Sequence, residues 1–120
     1  MNEFPKLNFQ DLKPWFDKTE MLISCAEQVQ KDLSIYGIKL SISDNTHNIY
    51  DHLFKQLEPE IAKLIGKPSF LMEILYRVDV DESKIKMVEI VDEPFSHTLT
   101  RLILWRELQK VVTRFLLKNS

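Results

Sequence analysis

A chain of 120 residues with 44% apolar and 28% charged side chains has the makings of one domain with its own core. A single cysteine rules out an internal disulfide framework, and two glycines argue against glycine-rich phosphate loops and runs of tight β-turns. The net charge of −2 is unevenly placed: residues 1–94 hold 11 Lys/Arg against 17 Asp/Glu, and residues 95–120 hold 5 against 1.

The start, Met1-Asn2-Glu3-Phe4-Pro5-Lys6, lacks the basic and apolar stretches of a signal peptide. No apolar run reaches the ~20 residues of a membrane span. A soluble, cytoplasmic protein of one helical domain over residues 1–120 is expected, with residues 1–12 as an arm anchored by Phe4, Leu7 and Phe9.

From Trp15 to Tyr36 the apolar residues Leu22, Ala26, Val29, Leu33 and Tyr36 recur at helical spacing, which predicts an amphipathic helix with Asp11 as its cap. Gly37 ends it, because glycine takes the left-handed conformation past a helix end without steric cost. Residues 38–43 alternate like a strand but read as an extended connector. Asp44, Asn45 and Thr46 offer caps for a second helix with the stripe Tyr50, Phe54, Leu57, Ile61 and Leu64. Pro59 predicts a kink or a restart within it, and Gly66 its end.

Pro68 opens a third helix that buries Leu71, Ile74, Leu75 and Val78. Asp81 is a candidate cap for a short helix over residues 83–91. The alternation of Ile85, Met87 and Glu89 leaves a strand open there, giving an α+β variant with a two-stranded ribbon from 38–43 and 85–91. Asp92-Glu93-Pro94 starts the last helix, Phe95 to about Lys118, with the wide face Leu104, Leu108, Val111, Phe115, Trp105, Val112 and Leu116. The fold class expected is therefore all-α, a compact bundle of four or five helices.

No catalytic set, metal set or cofactor signature can be assembled. His47 and His52 lie five apart on one predicted helix and point apart, and His97 sits alone in a first helical turn. Cys25 belongs to the edge of an apolar stripe. Asp79-x-Asp81-Glu82 has Lys84 where a calcium loop needs glycine.

The basic residues Arg106, Lys110 and Arg114 form a stripe at four-residue spacing that could follow a phosphate backbone, or could pair with acidic helices of the same chain. The negative overall charge favours the pairing and makes nucleic acid a poor partner. Arg101 points into the apolar arc of the last helix, so a carboxylate should meet it. Asp79, Asp81 and Glu82 are the expected donors, with a partner's or ligand's carboxylate as the alternative.

The stretches Leu75-Tyr76-Arg77-Val78-Asp79-Val80-Asp81-Glu82 and Arg106-Glu107-Leu108-Gln109-Lys110-Val111-Val112 resemble small, uncharacterised bacterial all-helical proteins. The resemblance covers the C-terminal third and implies a helical fold without implying an activity.

These features favour an interaction or assembly protein without catalysis, self-associating as a two-fold dimer. Ile103 and Leu117, on the polar side of the last helix, and Phe16 and Ile35, off the first stripe, suggest the second buried face. Two alternatives stand beside this reading: anion or nucleic-acid binding by the basic last helix, and an enzyme whose carboxylates join His97 only in the fold.

Overall fold

The computed structural model describes residues 12–41, 48–81, 83 and 93–118. Among them the chain is all-helical. Four α-helices occur: α1, Thr19–Leu33; α2, Ile49–Ile65; α3, Pro68–Val78; and α4, Phe95–Lys118. The predicted first helix begins later than expected: Lys18 is extended and α1 starts at Thr19, so Trp15 lies in a separate 3-10 turn, Lys13–Trp15, whereas the 3-10 turn Ser34–Tyr36 directly continues the end of α1.

The spacing of apolar residues explains the packing. On α1, Leu22, Cys25, Ala26, Val29 and Leu33 are buried along one stripe. Gly37 then turns the chain at φ +81°, where a side chain would be strained. Residues 38–41 form no strand, yet Ile38 and Leu40 are buried. Gln56 holds this connector in place: its side-chain oxygen accepts from the Ser41 N–H at 2.8 Å, and its amide donates to the Ser41 carbonyl at 2.8 Å. Residues 42–43 and 85–91 of the alternative ribbon lie outside the described residues, as do Asp11, residues 44–46 and most of the expected 83–91 helix.

Helix α2 runs unbroken past Pro59, where a kink or restart was expected. Its buried stripe is Ile49, Leu53, Leu57 and Ile61, and Tyr50, Phe54 and Leu64 flank it half-buried. The expected stripe was thus displaced by part of a turn, because two aromatics drew its centre toward themselves. Helix α3 buries Leu71, Ile74, Leu75 and Val78 as predicted, with Pro68 in its first turn.

Helix α3 ends in a Schellman closure: Val80 N–H donates to the Leu75 carbonyl at 3.0 Å and Asp79 N–H to the Tyr76 carbonyl at 3.1 Å. Asp79 occupies the left-handed position at φ +69°, where glycine is the usual residue.

Helix α4 is the centre of the bundle, packing on α1, α2 and α3. Leu99, Ile103, Leu104, Leu108, Val111 and Val112 are all buried, so its middle is covered on every side. Ile103, read from the sequence as a polar-side residue available to a partner, is 0% exposed within one chain. Phe16 is likewise half-buried and packs its ring 5.1 Å from that of Tyr50. These two motives for a dimer are corrected by contacts within one chain: a helix enclosed by three others has no polar side in its middle, and Phe16 is covered by α2.

Candidate functional site

Burying α4 on all sides forces its polar residues to find partners inside the chain, and α1 supplies them. Helical spacing stacks Gln28 and Asp32 one turn apart on α1, opposite Glu107, Lys110 and Arg114 on α4. Lys110 Nζ lies 3.1 Å from Asp32 Oδ2 and 2.8 Å from Glu107 Oε1. The Gln28 amide donates to Asp32 Oδ2 at 3.1 Å, and Arg114 Nη2 donates to Gln28 Oε1 at 2.7 Å. One network therefore crosses the seam from Arg114 through Gln28, Asp32 and Lys110 to Glu107.

Glu107 is the unusual member. Its side chain is 0% exposed, and neither carboxyl oxygen accepts a directed hydrogen bond. Lys110 is near it but approaches off the hydrogen-bonding direction. Burial pushes the Glu107 carboxyl up to about 8, helped by hydrogen bonding to Asp32 and opposed by Lys110. Burial also opposes ionisation of Asp32, but bonds from Glu107, Gln28 and Lys110 outweigh it and hold Asp32 below the usual carboxylate range. The two carboxyls are thus driven apart. Burial favours a protonated Glu107 beside an ionised Asp32, whose charge Lys110 balances.

Cys25 adjoins this seam, its thiol 3.7 Å from the Leu104 carbonyl oxygen. Burial, and then the Glu107 charge, raise its pKa well above that of an ordinary thiol. A thiol so disfavoured as thiolate is a packing group. The Tyr50 hydroxyl, also enclosed, is pushed up to about 12 by burial.

The rest of the predicted basic stripe is bonded too. Arg106 Nη2 reaches Asp79 Oδ2 at 2.9 Å, Arg106 Nε donates to the Asp79 carbonyl at 3.0 Å, and Arg106 Nη1 donates to Gln109 at 2.8 Å. Arg106 thereby clamps the left-handed residue that ends α3. Arg101 finds its carboxylate, but in Glu93: the guanidinium forks onto both oxygens at 2.6 and 3.0 Å.

This corrects the expected choice of Asp79, Asp81 or Glu82. Asp79 is turned to Arg106, Asp81 accepts from the Ser83 N–H at 3.0 Å, and Glu82 lies outside the described residues. The Arg101 and Thr98 bonds hold Glu93 below the usual carboxylate range.

His97 Nε2 lies 3.9 Å from Glu58 Oε2, and Ser96 Oγ donates to the same oxygen at 2.6 Å. A nucleophilic triad would place the imidazole between hydroxyl and carboxylate. Here the carboxylate takes the hydroxyl directly, an arrangement that ties the start of α4 to α2. His52 is exposed on α2, and His47 lies outside the described residues. Among the described residues no three His, Cys, Asp or Glu side chains gather as metal ligands.

Several large apolar side chains remain outward. Ile35, Phe70, Met72 and Tyr76 are exposed, Tyr76 at 89%. Tyr36, Glu73, Tyr76 and Arg77 line a shallow groove of about 310 Å³ along α3. Phe70 sets its ring 6.3 Å from that of Tyr36, joining the end of α1 to this face. Of the off-stripe residues noted in the sequence, Ile35 belongs here. Met72 and Tyr76 could have been found by helical spacing, since they lie opposite the four buried positions of α3, with Phe70 at the border of that face.

No described helix is long and apolar enough to cross a membrane. Comparison of the chain with family models, curated proteins and solved structures gives no match.

Proposed function

We propose that this chain is a cytoplasmic, non-catalytic assembly protein that pairs with a second copy of itself. The supporting observation is the group of exposed apolar residues Phe70, Met72 and Tyr76 on α3, with Ile35 next to the Tyr36 that packs on Phe70. Exposed apolar residues scattered singly are ordinary, whereas a group beside one groove marks a contact surface. The anion-binding alternative loses ground on the stripe it relied upon. Arg106, Lys110 and Arg114 are bonded to Asp79, Asp32 and Gln28, so a phosphate would have to displace partners already in place.

Native mass spectrometry of the full chain tests this reading, with a species of twice the 14.2 kDa chain mass as the expected outcome. Fluorescence anisotropy with labelled duplex DNA tests the alternative. The reading expects no saturable binding; binding that weakens steeply with added salt would favour the basic helix instead.

A further inference from the structure

We infer that the outward face of α3 is a two-fold interface on which Glu73 of one copy meets Arg77 of the other. This rests on the self-association proposed above and assigns its surface. At 100° per residue, Met72, Glu73, Tyr76 and Arg77 share the arc opposite the buried Leu71, Ile74, Leu75 and Val78. Tyr76 stands almost wholly in solvent, and Ile35, 70% exposed, precedes Tyr36, whose ring packs against Phe70.

The charges on this face choose the occupant. Arg101, Arg106, Lys110 and Arg114 are bonded within the chain, but among the described residues Glu73 and Arg77 make no ion pair. They lie one turn apart, carry opposite signs and cancel. A strongly acidic or basic partner gains nothing from such a face. A second copy does, because in a two-fold contact residue i meets j while j meets i. Antiparallel packing of α3 against its mate brings Glu73 to Arg77 twice, over apolar contact from Tyr76 and Met72. The groove beside Tyr36 gives the mate's Tyr76 a place to insert, and tyrosine and arginine are both enriched among the residues that dominate interface energies.

Charge reversal tests the arrangement by sedimentation at tens of micromolar. E73R and R77E should each place like charges together at two symmetric points and weaken the dimer at least about tenfold. The double variant E73R/R77E restores both pairs and should return to within about threefold of the unmodified chain. All three changes are at the surface, and circular dichroism verifies that the helices persist. A monomeric unmodified chain overturns this inference together with the self-association beneath it. A dimer that both single variants leave intact overturns the assigned surface alone. Single variants that dissociate without rescue in the double variant overturn the Glu73–Arg77 pairing.

Discussion

Lys110 of α4 stands 3.1 Å from Asp32 of α1 and 2.8 Å from Glu107 on its own helix, so one ammonium serves two carboxyl groups at the seam between the helices. Desolvation makes such a cluster sensitive to which member carries a proton. Burial favours the neutral form of Glu107 in this cluster.

Stability should therefore fall as pH rises through neutrality. The folded Glu107 pKa of about 8 exceeds its ordinary 4.5, so between these values the folded chain binds the extra proton. Its contribution is fully present below about 4.5 and is lost by about 8, at roughly 1.4 kcal/mol per pH unit. Asp32 acts oppositely: its depressed pKa stabilises above 3.8 and is lost in acid. Urea unfolding from pH 5 to 9 should show a loss of a few kcal/mol in the unmodified chain. The E107Q variant, whose amide can still donate to Asp32, should show a much flatter profile and greater stability at pH 8. Parallel profiles would contradict a protonated Glu107.

Lys110→Met should be the most damaging change in the basic stripe. It leaves Asp32, 14% exposed, without its counter-charge, at a cost of about 3 kcal/mol or more. Arg114→Ala removes one hydrogen bond to Gln28 and should cost about 1 kcal/mol. Denaturant midpoints that rank the two equally would refute the network.

Arg101→Met should lower stability by about 1 kcal/mol and leave self-association unchanged. The Arg101 and Glu93 side chains are 35% and 20% exposed, so solvent screens the pair. A double-mutant cycle with Glu93→Gln should give a coupling of similar size, whereas additive effects would remove the fork as a source of stability.

The Cys25 thiol should react with Ellman's reagent only as fast as the chain unfolds. It is 2% exposed, and burial disfavours its thiolate. Reaction at the rate of a free thiol in native buffer would contradict its burial.

The helices were readable because periodicity and punctuation agreed: Gly37, Pro68 and the bounds of α4 fell where local chemistry put them. The phase of α2 was less readable, since Tyr50 and Phe54 are large enough to suggest a stripe that they only border. Arg101 is recognisable as needing a carboxylate, but Glu93 reads as part of the start of the last helix, and one carboxylate can serve both roles.

Glu107 went unnoticed because charged residues were counted to the solvent face. Its signal was present: Ile103, Leu104 and Val111 lie three or four residues away, placing Glu107 among apolar neighbours on the wheel. Asp32 on α1 carries the same mark through Cys25, Gln28 and Val29. Which exposed face seeks a partner could not be settled from periodicity, because exposure depends on how the other helices close around α4.

Sedimentation equilibrium of the full chain between about 1 and 100 µM tests self-association most directly, since mass action must shift a reversible dimer across that range. The weight-average mass should climb from 14.2 kDa towards twice that value as concentration rises. A mass that stays at 14.2 kDa throughout would contradict the account.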